Sequence, residues 1–219
     1  TSGADAIATG HYLSGEKDQR YFLWAVPKEA LENTLFPVGH MDKSTVRALA
    51  KRLHLPVAEK RDSQGVCFLG NISVEEFLRA EFGEVRGYAK DEKGEVIGEH
   101  NGVLLHTLGE RVALTDAKEN GPWFVLAKDV ARNELIVGKT RIPESLDACK
   151  EIPFIEANWL TDAPLVTHAQ YRYRGIRVQG TVEENCFVST ETLQEIPTPG
   201  QSIVFYQDDE LVGGGIITL

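Results

Sequence analysis

Two segments in the first part of the chain place apolar residues three and four positions apart, the spacing of a helix with one buried face. In the first, residues 43–53, the pattern follows Asp42, a residue that can cap a helix N-terminus. In the second, residues 74–82, Ser73 and Glu76 have the spacing of a capping box. The sequence therefore predicts two amphipathic helices.

A short apolar run at residues 4–8 predicts a buried strand that opens into a loop at Gly10. Another short helix is expected from Pro27, since proline suits the first turn of a helix. Helix and strand signals alternate in this way as far as Gly83. Residues 1–83 are therefore predicted to have mixed α/β structure.

After this point short apolar runs alternate with glycine turns, which is typical of β structure. Residues 84–143 are expected to hold a hairpin with its tip at 91–94 and strands at 123–127 and 134–137, and residues 143–153 to form a linker. The last part has the strand spacing of a small barrel, with predicted strands at 154–157, 166–173, 176–182, 186–189, 202–207 and 216–219. We expect three domains: part of an α/β domain (1–83), a central β-rich domain (84–143) and a C-terminal β-barrel (150–219).

The composition, with 42% hydrophobic and 26% charged residues, excludes a disordered tail or a fibrous repeat. No apolar run approaches the roughly 20 residues that span a bilayer. The three cysteines, Cys67, Cys149 and Cys186, are too few and too scattered for a disulfide framework or a structural zinc site. We therefore expect no bound metal and a cytoplasmic location.

The formal net charge of −10 disfavours nucleic-acid binding by bulk attraction, but the arginines are clustered. Residues 150–219 hold four basic and ten acidic groups, and three of the four basic groups are Arg172, Arg174 and Arg177. In a strand, Arg172 and Arg174 would lie on one face and Tyr171 and Tyr173 on the other. Alternating guanidinium and aromatic groups suit phosphates and stacked bases, while an exposed decorated sheet is the alternative interpretation.

Cys67 is the residue most suggestive of covalent chemistry. Gly65 and Gly70 flank it and allow close backbone approach to a ligand, and the neighbouring Lys60 and Arg61 could favour a thiolate. Taken on position alone, a small buried hydrophobic residue is the more ordinary interpretation.

Two further polar segments are candidates for binding. Gly10 and His11 follow the first predicted strand, where open α/β sheets bind ligands. The Lys17-Asp18-Gln19 tripeptide is either part of a binding loop or a solvated surface.

Several motifs, in order along the chain, resemble those of the bacterial tRNA-specific 2-thiouridylases, the MnmA (TrmU) family. The most specific is Asp62-Ser63-Gln64-Gly65-Val66-Cys67-Phe68. The others are Ala8-Thr9-Gly10-His11-Tyr12, Lys17-Asp18-Gln19, Leu35-Phe36-Pro37-Val38-Gly39, Gly98-x-His100-x-Gly102, Pro122-Trp123-Phe124-Val125, Ala169-Gln170 with Arg172-Tyr173-Arg174, Pro199-Gly200-Gln201 and Gly213-Gly214-Gly215.

The resemblance implies an enzyme, a tRNA-uridine 2-sulfurtransferase, with a Rossmann-like PP-loop ATP pyrophosphatase domain at its start. Such enzymes use ATP, with Mg expected and no stable prosthetic group, to adenylylate the C2 oxygen of uridine 34. A cysteine persulfide, loaded by a sulfur-relay protein or a cysteine desulfurase, then supplies sulfur, and a second cysteine helps to release it, which makes a transient disulfide part of the expected chemistry. Cys67 matches the persulfide-bearing cysteine and Gly10 a nucleotide contact. The residues matched to tRNA contacts are His11, Lys17, Asp18, Gln19, Arg172, Tyr173 and Gln201.

The sequence departs from this family at several points. The Ser-Gly-Gly-x-Asp-Ser PP-loop, the Asn-Pro-Asp segment and the first catalytic cysteine are not among the 219 residues, and the loop at 13–16 is short. Thr107-Leu108-Gly109-Glu110-Arg111 replaces the usual Gly-Gln-Arg followed by Lys-Gly. We therefore expect a C-terminal portion of the family that is inactive by itself.

Two alternatives remain open. The chain could be a non-catalytic RNA-binding module, or another PP-loop ATP pyrophosphatase that acts on a small amide or acid. A methyltransferase is disfavoured, because the sequence has no glycine fingerprint for a methyl donor.

Overall fold

A computed structural model describes residues 3–15, 18–59, 72, 74–142, 150–162 and 164–218. The chain divides into two compact units. One unit, called here the barrel unit, comprises residues 1–61, 150–191 and 197–219, and the other, the central unit, comprises residues 62–149 and 192–196.

Within its described residues, the barrel unit contains two helices, of which ten-residue α2 is the longer, and eight strands. Its elements are β1 (Ile7–Ala8), α1 (Lys28–Glu32), β2 (Thr34–Leu35), α2 (Lys43–Arg52), β8 (Glu151–Trp159), β9 (His168–Gln170), β10 (Val178–Glu183), β11 (Cys186–Ser189), β12 (Ser202–Gln207) and β13 (Glu210–Ile217), with a 3₁₀ turn at Arg20–Phe22. The central unit contains α3 (Val74–Phe82), β3 (Gly87–Lys90), β4 (Val96–His100), β5 (Arg111–Val112), β6 (Trp123–Asp129), β7 (Glu134–Gly138) and a 3₁₀ turn at Val103–Leu105. None of the described helices is long and apolar enough to cross a membrane.

Six strands form a closed antiparallel barrel in the order β10-β11-β8-β13-β12-β9. Alternate side chains of these strands point inward and fill the barrel, where Phe154, Phe187 and Phe205 are completely or almost completely buried. The ring of Phe205 lies 4.9 Å from that of Phe154 and 6.3 Å from that of Phe187. The predicted C-terminal barrel is thus confirmed.

The segment that follows Gln19 packs against the outside of this barrel. Tyr21 and Trp24 form an apolar cluster with Val204 and Tyr206 of β12. Trp24 lies against Gly214 of β13, where an added Cβ would be only 2.6 Å from the indole ring. Because glycine has no side chain, position 214 leaves the space that the Trp24 indole occupies.

Hydrogen bonds fix the same segment to the barrel at two more places. The Asn158 side chain donates to the carbonyl oxygens of Trp24 and Val26, and the Tyr21 hydroxyl donates to the carbonyl oxygen of Ser202 at 2.9 Å. Because the two bonds from Asn158 satisfy backbone carbonyls of the segment, they hold its path as well as its side chains.

The buried strand predicted at residues 4–8 is wrong in extent and in burial. β1 has two residues and pairs in parallel with β2, and Ile7 and Leu35 are 66% and 59% exposed. Within the described residues no further strand joins this pair, and parallel strands are normally covered on both faces. The α2 prediction is confirmed, because the Asp42 carboxylate accepts a hydrogen bond from the Thr45 amide at 2.7 Å.

Three predictions in the C-terminal part need correction. The strand expected at 166–173 covers only His168–Gln170, and Arg172–Arg174 form a turn in which Arg174 has a φ of 62°. The strand expected at 216–219 begins earlier, at Glu210, because three successive glycines pack closely in β13. The expected linker at 143–153 overlaps β8, which begins at Glu151, while residues 143–149 lie outside the described residues.

The central unit is a five-stranded sheet in the order β4-β3-β7-β6-β5, with β3 and β7 parallel and the other pairs antiparallel. One face carries the core, which includes Trp123, Val125, Leu135 and Val137. The predicted hairpin tip is confirmed, since Gly94 donates to the Asp91 carbonyl between β3 and β4. Mixed α/β structure followed by a β-rich segment and a barrel agrees with the expected fold class.

Candidate functional site

The loop between Gly10 and Gln19 is closed by its own last residue. The Gln19 side-chain Oε1 accepts from the Tyr12 amide at 3.0 Å, and the Gln19 amide donates to the Tyr12 carbonyl at 2.8 Å. Leu13 in turn donates to the Gly39 carbonyl at 2.9 Å. Gln19 therefore holds the base of the loop, and its side-chain oxygen is engaged within the protein.

Asp18 is the centre of an ion network that joins this loop to the barrel. Its carboxylate accepts from the Arg20 amide at 2.9 Å and from Arg20 Nε and Nη2 at 2.9 and 2.6 Å. Arg20 Nη1 also donates to the Asp209 carbonyl. Arg177 lies 3.8 Å from Asp18 and donates to the Asp209 carboxylate at 2.9 Å.

Two cations and two carboxylates in this network balance each other. The hydrogen bond that Arg20 donates to Asp18 is the main cause that raises the pKa of Arg20, against the opposing effect of burial. The Arg177 guanidinium stacks 3.7 Å from the centre of the Tyr206 ring, and burial raises the pKa of Tyr206. The network thus contributes structure to this surface and little net charge.

Gly10 and His11 follow β1. Gly10 is exposed, and a Cβ added there would meet nothing within 4 Å in the described structure, so its backbone is open to a ligand. His11 Nδ1 lies 2.9 Å from the Thr9 hydroxyl, and its ring meets Phe36 edge to face at 6.4 Å. The imidazole borders an open, largely apolar groove of about 480 Å³.

Arg172 and Gln201 approach each other through the turn at residues 198–201. Arg172 Nη2 donates to the Thr198 hydroxyl at 3.4 Å, and the Gln201 amide donates to the Thr198 carbonyl at 3.1 Å. Tyr21 binds the next carbonyl, that of Ser202. Burial, with the charge of Tyr206, raises the pKa of Tyr21 to about 12, so its hydroxyl stays protonated and donates this bond.

Tyr173 completes an aromatic cluster with the 3₁₀ turn. Its ring lies 4.5 Å from that of Phe22 and 5.8 Å from that of Tyr21. Arg174 lies over the same ring at 5.3 Å, whereas Tyr171 is 1% exposed. The expected alternation of arginine and tyrosine faces is therefore wrong, because residues 171–174 turn and do not continue the strand.

The structure thus brings together five of the predicted site residues on one unit, although more than 150 positions separate the first from the last. Asp18 and Gln19 anchor the loop, and Arg172, Tyr173 and Gln201 lie on the barrel side of the same segment. Gly10 and His11 lie at the start of the same loop, and His11 borders the neighbouring groove. Cys67 and Lys17 lie outside the described residues.

Sequence reasoning missed Arg20, Arg177 and Phe22. Asp18 followed two residues later by Arg20 has the form of an Asx turn, and this signal could have identified the first pair. Arg177 was counted only as one of the clustered arginines, with no partner assigned to it. Phe22 carries no local signal, because its contacts with Tyr173 depend on the docking of the whole segment on the barrel.

Comparison with known proteins gives three consecutive matches to family descriptions. Residues 1–71 match the tRNA methyl transferase HUP domain, residues 75–139 the tRNA methyl transferase PRC-barrel domain, and residues 149–217 the aminomethyltransferase beta-barrel domain. The fold therefore defines a protein with a HUP domain, a PRC-barrel domain and a C-terminal β-barrel.

Several relatives that are similar over nearly the whole chain share the name tRNA-specific 2-thiouridylase MnmA. The proteins from Stutzerimonas stutzeri and Geobacillus thermodenitrificans are 39% and 37% identical, each over 98% of this chain. The protein from Tolumonas auensis is 38% identical over 98% of the chain. The chain belongs to this MnmA family. It spans 64–65% of the length of these three relatives.

Proposed function

We propose that this chain acts in the 2-thiolation of uridine 34 in tRNA. The observation that carries the proposal is the 4.5 Å contact between Phe22 and Tyr173. It joins the segment after Lys17-Asp18-Gln19 to the Arg172–Tyr173 turn, so two parts assigned to tRNA from motifs far apart in sequence share one surface. The names of the relatives, tRNA-specific 2-thiouridylase, support the same substrate.

In the proposed reaction ATP, supplied with Mg, transfers AMP to the C2 oxygen of the uridine and releases pyrophosphate. The terminal sulfur of a Cys67 persulfide then attacks C2, and AMP leaves. A second cysteine breaks the remaining sulfur–sulfur bond and forms a disulfide with Cys67. Gly10 would supply a backbone contact to the nucleotide, and its exposed position with no obstructing atom within 4 Å suits that role.

The 219 residues alone are expected not to thiolate tRNA. They contain no Ser-Gly-Gly-x-Asp-Ser sequence to hold ATP phosphates, and positioning of the nucleotide accounts for much of the rate of such a reaction. We also propose the three domains stated above, 1–83, 84–143 and 150–219, and a sulfur-relay protein or cysteine desulfurase as donor.

The test is persulfide formation on Cys67. After incubation of the 219-residue chain with a cysteine desulfurase and cysteine, mass spectrometry should find a gain of about 32 mass units, one sulfur, on the Cys67 peptide. Cys67→Ser should abolish the adduct. Cys186→Ser is the matched control, because Cys186 is the first residue of β11 and is half-buried there.

Sulfur found equally on Cys186, or retained in Cys67→Ser, would contradict the proposed role of Cys67. In an active relative, replacement of the cysteine that matches Cys67 by serine should remove thiolation of tRNA while tRNA binding remains.

A non-catalytic RNA-binding module is the second candidate. The aromatic and guanidinium cluster favours it, since Tyr173 and Arg174 need no contribution from Cys67 to bind RNA. It predicts tRNA affinity that falls with salt, a smaller salt dependence in Arg172→Ala, and no sulfur adduct on Cys67. The adduct experiment therefore separates the two candidates.

A further inference from the structure

Phe22 is an exposed aromatic residue in a structured setting. Half of its surface is exposed, although it belongs to a hydrogen-bonded 3₁₀ turn and the neighbouring residue Tyr21 is buried. It meets Tyr21 edge to face at 5.4 Å and Tyr173 at 4.5 Å. These contacts fix one side of the ring and leave the rest accessible to solvent.

The charges around this ring favour an anionic partner. Asp18 and Asp209, the carboxylates of the network, are engaged by Arg20 and Arg177. Arg174, on the other side of Tyr173, is exposed and forms no ion pair within the described residues. The accessible surface therefore consists of the two adjacent rings of Phe22 and Tyr173, called here the aromatic step, and the guanidinium of Arg174 beside them.

We propose that Phe22 stacks against an unpaired base of the RNA and that Arg174 contacts an adjacent phosphate. Aromatic side chains bind single-stranded bases by stacking, and guanidinium groups beside them bind the backbone. A paired base in a duplex has no free face to offer, so the surface should select loops over stems. The inference rests on the proposed function, since it names additional contacts to the same class of substrate.

The test measures binding of the 219-residue chain to a stem–loop RNA with the sequence of a tRNA anticodon arm and to a duplex RNA of equal length. Phe22→Ala should weaken stem–loop binding about tenfold, within the range measured for a stacked base, and leave duplex binding unchanged. Phe22→Trp should retain the affinity. Phe82→Ala, which removes an equally exposed phenylalanine from the central unit, is the matched control and should have no effect.

Replacement of single loop nucleotides by abasic ones should identify the stacked base. At that position Phe22→Ala should cause no further loss. Arg174→Ala should reduce the magnitude of the slope of log affinity against log salt concentration by about one, the change expected for loss of one phosphate contact. Arg132→Ala, in the central unit, should leave this slope unchanged.

The possible results are distinct. If the unmodified chain binds stem–loop and duplex equally weakly, the proposed function fails. If it prefers the stem–loop and Phe22→Ala binds it as tightly, the stacking role of Phe22 is overturned. An equal loss for both RNAs, or a Phe22→Leu variant that folds and binds like the unmodified chain, also overturns it.

Discussion

Two hydrogen bonds join Gln19 and Tyr12 across the base of one loop. The Gln19 side-chain oxygen accepts from the Tyr12 backbone amide, and the Gln19 backbone amide donates to the Tyr12 carbonyl. A glutamine assigned to tRNA contact by its motif thus also has a defined task within the protein. Its Oε1 atom is occupied by the Tyr12 amide, so its Nε2 group is the part of the side chain left to meet a ligand.

Gln19→Ala is expected to loosen this loop. Loss of one hydrogen bond to the Tyr12 amide should lower the local free energy of opening by about 1 kcal/mol. Hydrogen exchange at Tyr12 and Leu13 should then be faster by roughly fivefold. Gln19→Glu keeps an acceptor oxygen and should preserve slow exchange, so equally fast exchange in both variants would contradict a role for the side-chain bond.

Asp18→Asn should destabilise the fold of the barrel unit. The carboxylate is about one-fifth exposed and binds Arg20 through both oxygens, and charge-assisted hydrogen bonds of this kind contribute about 1.5–3 kcal/mol. The thermal midpoint should fall accordingly. Asp162→Asn is the control, because the Asp162 side chain is 97% exposed and a surface pair such as that with Lys28 contributes little.

A double-mutant cycle tests whether Asp18 acts through Arg20. The loss in the Asp18→Asn, Arg20→Gln double variant should be smaller than the sum of the two single losses. Additive losses would show that the two side chains act independently, contrary to their contacts.

The elements that could be predicted from sequence are those set by local pattern. The Asp42 cap and the apolar stripe of α2 depend on residues within one helix, and β11 and β12 were predicted with their observed bounds. Residues 171–174 were wrongly predicted to continue a strand, because an alternating sequence of tyrosine and arginine does not distinguish a strand from a turn. β9 ends at Gln170 and the backbone is left-handed at Arg174, and neither residue type indicates these changes.

The candidate site was predictable only as a set of motifs. The resemblance selected Asp18, Gln19, Arg172 and Tyr173, but not what each contacts. The Asp18 network needs Asp209 and Arg177, and the aromatic step needs Phe22, all of which come together through docking of the Tyr21–Trp24 region on the barrel. Long-range packing of this kind leaves no periodic signal in the sequence.

Gly214→Ala should disturb that docking. The new Cβ would lie 2.6 Å from the Trp24 ring and 2.8 Å from the Ile203 carbonyl oxygen, and the oxygen belongs to a β-strand backbone that cannot move freely. Overpacking of this size costs about 1–3 kcal/mol. The free energy of unfolding should fall, and the contribution of Trp24 to the near-ultraviolet circular dichroism spectrum should change. Gly10→Ala, whose added Cβ meets no atom of the described residues within 4 Å, should leave the free energy of unfolding unchanged.

The central unit contains a buried histidine whose protonation should oppose folding. His100 is 3% exposed, its Nδ1 accepts a hydrogen bond from the Gly102 amide, and its ring meets that of His106 at 5.8 Å. Burial, followed by the charge of His106, lowers the pKa of His100, against an opposing interaction with the Asn133 carbonyl. The acceptor role of Nδ1 requires the neutral ring.

The sign of the pH dependence follows from this shift. Below the ordinary histidine pKa of about 6.5 the unfolded chain binds a proton that folded His100 does not, so stability is full above that pH and is lost as the pH falls through the lower folded pKa. One such group changes the free energy of unfolding by at most about 1.4 kcal/mol per pH unit.

Hydrogen-exchange protection of β3, β4 and β7, corrected for the intrinsic pH dependence of exchange, should therefore decrease between neutral pH and pH values below about 6.5. His100→Asn can retain the acceptor for Gly102 and should flatten this decrease, whereas His54→Asn, at an exposed site in the barrel unit, should leave it unchanged. The same decrease in His100→Asn would assign the effect to another group, such as Glu110, whose Oε1 lies 2.7 Å from Nδ1 of His106.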